Sequence, residues 1–161
     1  MSIKGHLLRV RKDELETYLM DSSLLKARIY ETASGEDSFH TALDKAWDGI
    51  LFLLTAEDTD HPLAKILFSG QVIDENQDMG YGPAYFLTSE QVVVLYKELA
   101  LITYPFFKQQ YDADKMNESG IYPEIWEYED ACDYLWEYFE KLRQAFAEAA
   151  TRKEILISFL N

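Results

Sequence analysis

One short segment constrains this chain more than any other: Ile155-Leu156-Ile157-Ser158-Phe159-Leu160 is apolar at every position but one. An amphipathic helix or a half-buried strand turns a regular share of its side chains to water, and this segment has almost none to turn. It reads as the interior strand of a sheet, covered on both faces. Its position at the end of the sequence implies that the end of the chain is locked into that sheet. Near the other end, Ile3, Leu7, Leu8 and Val10 outline a second strand over residues 3 to 10.

The intervening sequence reads mostly as helix. Lys12 to Met20 fits a short helix with Leu15, Tyr18 and Leu19 on one side, and Ser22 or Ser23 caps another carrying Leu24, Leu25, Ala27 and Ile29. Residues 32 to 38 are a loop by composition. From Ser38 onward Phe39, Leu43, Ala46, Trp47, Ile50, Leu51 and Leu54 recur at three- and four-residue steps. That spacing predicts one amphipathic helix, in which Gly49 is a fault costing about 1 kcal/mol relative to Ala. Pro62 suits the first turn of a short helix ending at Phe68, and residues 71 to 74 with 83 to 87 read as a hairpin or edge pair.

Thr88-Ser89-Glu90-Gln91 is a capping box, so a helix begins there. Val92, Leu95, Tyr96, Leu99 and Ile102 form its stripe, while Val93, Ala100 and Leu101 lie elsewhere, so most of its circumference is expected to be covered. Tyr104-Pro105 stops or kinks it. A long helix is predicted from Glu127 to Thr151, with Tyr128, Ala131, Cys132, Leu135, Phe139, Leu142, Phe146 and Ala149 inward. The fold class expected is α+β: a single domain over residues 1 to 161, whose small mixed or antiparallel sheet includes the N- and C-terminal strands and packs against a helical layer. Strand order and oligomeric state are not fixed by these patterns.

Charge narrows the partners. The chain holds 15 Lys and Arg against 29 Asp and Glu, a net −14 that opposes approach to nucleic-acid phosphates and anionic lipid. No apolar run approaches the ~18 residues of a membrane span, and the N-terminus lacks the features of a secretory signal. A cytoplasmic protein binding neither nucleic acid nor membrane is expected. Cys132 is the single cysteine, so no intramolecular disulfide forms, and its inward place suits an inert core thiol. No phosphate loop, nucleophile elbow or dinucleotide fingerprint occurs, and no cofactor is expected.

The negative charge concentrates in residues 112 to 140, where ten acids stand against Lys115 alone, with seven aromatics interleaved. Glu129, Asp133 and Glu137 repeat at four-residue steps, a spacing that costs an isolated helix roughly 0.2–0.5 kcal/mol per like-charged pair. Two readings stay open. Either the helix dipole and the ordered pairs Glu137 with Lys141 and Glu148 with Arg152 offset the repulsion, or this surface, with Glu140, serves a basic protein partner. The second is the leading expectation: a non-enzymatic binding module of the toxin-neutralising or similar regulatory kind. His40, Asp44 and Asp48, at i, i+4, i+8, would line one side of the predicted helix, either solvated or sharing a proton. Neither they nor His6 and His61 complete a metal set, so no metal is expected.

The stretch Leu43-Asp44-Lys45-Ala46-Trp47, then Gly80-Tyr81-Gly82-Pro83-Ala84 and Ile121-Tyr122-Pro123-Glu124-Ile125-Trp126, resembles the YfbM-like family of bacterial proteins of unknown function in order and spacing over nearly the whole chain. The resemblance implies a compact cytoplasmic α+β domain and lends no activity. Family members often carry a histidine where this chain has Leu51 and an arginine where it has Tyr85, and both departures remove polar groups. Within and beside these motifs Asp44, Trp47, Tyr81, Tyr85, Tyr122 and Trp126 have the composition of a small-ligand cleft. The alternative to a partner-binding module is thus a small-molecule binder, or an enzyme of unassigned reaction using Asp44, Asp48 or His40 as acid or base. The competing structural reading makes Trp47 core.

Overall fold

The computed structural model describes residues 2 to 31 and 37 to 161. Strands β1 (Gly5–Val10), β2 (His40–Asp44), β3 (Tyr85–Leu87) and β4 (Ile155–Leu160) form one antiparallel sheet in the order β2-β1-β4-β3. The two terminal strands are its centre, paired from Gly5 with Leu160 to Val10 with Ile155. Helices α1 (Lys12–Met20), α2 (Ser23–Glu31), α3 (Trp47–Thr55), α4 (Ser89–Ala100), α5 (Tyr104–Gln109), α6 (Ala113–Glu118) and α7 (Ala131–Arg152) surround it, with a 3-10 helix at Pro62–Ile66.

Both faces of β4 are covered, as its composition requires. Leu156 joins Leu7 in the larger core, with Ile50 of α3, Leu99 of α4 and Phe139, Leu142 and Phe146 of α7. Ile155, Ile157 and Phe159 join Leu8 and Val10 in a second core against Leu15 and Tyr18 of α1 and Leu25 of α2. Beneath the first face, a β-carbon at Gly49 would stand 2.7 Å from Trp126 Cη2 and 2.8 Å from Leu135 Cδ2. The residue that weakens α3 as a helix is what lets it lie against Trp126 and α7.

Several expectations change. Residues 40 to 44 are a strand and not the start of the helix from Ser38: pairing with β1 decides their conformation, and Asp44, at φ 49°, turns the chain before α3 begins at Trp47. Residues 71 to 74 make no strand but one bridge, Val72 to Tyr85, beside the short β3. On α4 the capping box forms as read, with Gln91 N–H donating to Thr88 Oγ1 and Thr88 N–H to Gln91 Oε1. The outer side of α4 is open, however, with Val94 63% exposed and, just past its end, Leu101 76%. α7 begins at Ala131, which leaves Tyr128 outside it and exposed, and Cys132 is half-buried where full burial was expected. Of the loop expected at 32 to 38, residues 32 to 36 lie outside the described residues. No helix among the described residues is long and apolar enough to cross a membrane.

Candidate functional site

α7 sorts the acidic and aromatic residues of 112 to 140 by helical phase. Leu135 and Phe139 point to the core, while Asp133, Glu137 and Glu140 occupy the outer side and Glu129 the loop before it, all exposed. The other six acids of the segment are exposed as well. Glu137 pairs with Lys141 at 3.8 Å and Glu140 with Arg143 at 2.7 Å, and among the described residues no other acid of the segment is in an ion pair. Asp133 accepts a hydrogen bond from the Tyr104 hydroxyl, which, chiefly through that bond, pushes the phenol up to about 12. Most of the aromatics turn inward: Trp126 and Phe139 are buried and Trp136 lies against Phe107 and Phe139. Tyr128 is 61% exposed, and Phe106 on neighbouring α5 47%.

The six residues read as a ligand cleft fall into separate places. Trp47 is buried, donates from Nε1 to the Ile3 carbonyl at 2.9 Å, and stacks on Tyr122 with centroids 6.0 Å apart. The Tyr122 hydroxyl accepts from Ile3 N–H at 2.8 Å. Asp44 accepts at 2.6 Å from Tyr134; burial and this bond hold the Tyr134 phenol well above its usual range. Trp126 is buried to 1% exposure with its N–H on the Ile121 carbonyl, so it touches no ligand from solvent. Tyr81 and Tyr85 line a recess of only about 50 Å³ beside Phe68.

A larger cleft, about 550 Å³, opens on the outer side of α3. Asp48, Leu51, Phe52 and Thr55 supply one wall from successive turns, and Glu57, Asp58, Ala64, Phe68 and Ile121 supply the others. None of the six residues above lines it. Sequence reasoning named Asp48 but placed Leu51 on the apolar face; the available signal was a carboxylate in the first turn of an otherwise apolar helix. Asp48 Oδ2 accepts from Tyr122 N–H at 2.9 Å. Burial raises its affinity for a proton, the Tyr122 N–H opposes this, and Glu57 adds to it. His40 and Asp44 are on β2 and Asp48 on α3, so they share no helix face. His40 instead meets His6 across the β1–β2 pair, with Nε2 2.9 Å from His6 Nδ1. The Cys132 thiol is pushed up by burial and then by Asp133, away from reactivity.

A model for a domain of unknown function, DUF1877, matches residues 1–159. The chain belongs to this family. Among solved structures, the DUF1877 chain is similar to YfbM from Escherichia coli, a protein of unknown function, with TM-score 0.76 and 17% identity over 98% of this chain and 99% of that one. At that identity the likeness speaks for the fold, in agreement with the resemblance carried by the Leu43 to Trp47 and Ile121 to Trp126 motifs. No curated protein matches the DUF1877 chain. Among its described residues no three His, Cys, Asp or Glu side chains gather as metal ligands.

Proposed function

We propose that this DUF1877 domain is a binding module whose acidic face, centred on Glu129, Asp133, Glu137 and Glu140, engages a basic protein partner. One observation carries the reading: every acid of residues 112 to 140 is exposed, and only Glu137 and Glu140 are ion-paired among the described residues. A partner's lysines and arginines meet carboxylates at the surface, most of them outside any ion pair among the described residues, and opposite charge speeds encounter and selects the partner. Tyr128, next to Glu129 in the chain, and Phe106, on α5, are exposed and supply apolar anchors of the kind that carry interface energy.

Capture from lysate at low and at physiological salt, with the retained proteins identified by mass spectrometry, tests this. A basic protein retained by the parent and lost when Asp133, Glu137 and Glu140 are replaced together by Ser is the expected result. Capture unchanged in that variant removes this face from the interaction.

A further inference from the structure

The cleft beside α3 combines three properties that together select a ligand. Its volume of about 550 Å³ is that of a small-molecule site. Its floor is hydrocarbon from Leu51, Phe52, Phe68 and Ile121, and Phe68 is 40% exposed, so covering it removes apolar surface from water. Its charge is one-sided: among the described residues Asp48, Glu57 and Asp58 line it and no Lys, Arg or His does. Among the described residues none of the three carboxylates is in an ion pair.

Simpler occupants fit poorly. An anion meets like charge from all three carboxylates, and a compact divalent ion needs oxygens converging on one point, which no trio of carboxylates here provides among the described residues. What remains is positive charge carried on an apolar frame. Asp48 is the best-placed counter-ion. Its Oδ2 is held by Tyr122 N–H, its other oxygen has no hydrogen bond within the described residues, and its partial burial strengthens a charge-assisted bond to an incoming ammonium.

We propose that the cleft between α3, the loop at residues 57 to 59 and Phe68 binds an organic primary amine, with its ammonium on Asp48 and its hydrocarbon body over Leu51 and Phe68. The site uses none of Glu129, Asp133, Glu137 or Glu140, so it stands apart from the partner-binding face.

Phenethylamine is a suitable probe, with phenethyl alcohol as its uncharged counterpart and magnesium chloride as a compact cation, each titrated while backbone amide resonances are followed. Phenethylamine is expected to shift the resonances of Asp48, Leu51 and Phe68, and the two controls to leave them in place. Asp48→Asn, which still accepts the Tyr122 N–H and keeps the fold, should weaken binding by about tenfold or more. Replacing Asp133, Glu137 and Glu140 by Ser should leave it unchanged. Absence of shifts at the cleft, equal shifts from the alcohol or magnesium, full affinity in Asp48→Asn, or loss in the triple variant would each overturn the assignment.

Discussion

Trp47 shows how one side chain joins distant parts of the chain. Its indole closes against Tyr122 and the edge of Phe68, and its N–H ties the segment before β1 to α3. Trp47→Ala is expected to cost about 3–5 kcal/mol, from lost burial and the cavity left behind. A urea denaturation midpoint close to that of the parent would show that the indole is not part of the core. Gly49 offers a test in which two effects have opposite sign. Helix propensity alone makes Gly49→Ala stabilising by about 1 kcal/mol, whereas overpacking costs about 1–3 kcal/mol. Contacts of 2.7 and 2.8 Å to buried Trp126 and Leu135 let overpacking win, because neither neighbour can swing into solvent. A lowered midpoint is expected, and a raised one would mean that α3 can back away from α7. The sequence showed the glycine as a fault in a helix. It held no sign of the indole facing it, which comes from residue 126 by way of the fold.

Among the elements, those set by neighbouring residues are legible in the sequence. The cap at Thr88 and Gln91 is settled within four residues, and α1 runs over the residues that its apolar spacing marks out. β2 reads as helix in the sequence through the helical spacing of Phe39 and Leu43, which is overridden by backbone pairing with β1, from Leu8 with His40 to Gly5 with Asp44. The cleft on α3 was illegible for the same reason, since its walls come from α3, the segments around Glu57 and Phe68, and Ile121. The pairing of β1 with β2 also carries a pH dependence. Asn161 Oδ1 can only accept, so His6 donates to it from Nε2 at 2.6 Å and accepts from His40 at Nδ1. A further proton on His6 would therefore face the His40 N–H. Burial, opposed by the Asn161 bond and reinforced by His40 and Lys4, holds His6 down to about 4 from 6.5. The unfolded chain takes up this proton near pH 6.5 and the folded chain near 4, so the stability is whole above 6.5 and drains away as pH falls to 4. His6→Gln should flatten the urea midpoint against pH across that window relative to the parent, in which the carboxylates titrate alike. Parallel curves would absolve His6.

For the whole molecule, the sheet order explains why both ends of the sequence were informative: β1 and β4 are the central strands, and each gives apolar residues to both cores. The charge was equally legible, because carboxylates without buried partners go to the surface wherever the helices lie. Which carboxylates border an apolar hollow is decided only when the segments meet. The same sheet order sets a schedule for the chain as it is made. β1 is completed roughly 145 residues before the strand that fills the space beside it. At ~5–20 residues per second of synthesis, it waits about 7–30 s with Leu7, Leu8 and Val10 uncovered on that side. β2 becomes available early and can shield only the opposite edge. The central gap of the sheet therefore closes only once β4 has been made, however early β2 has joined β1.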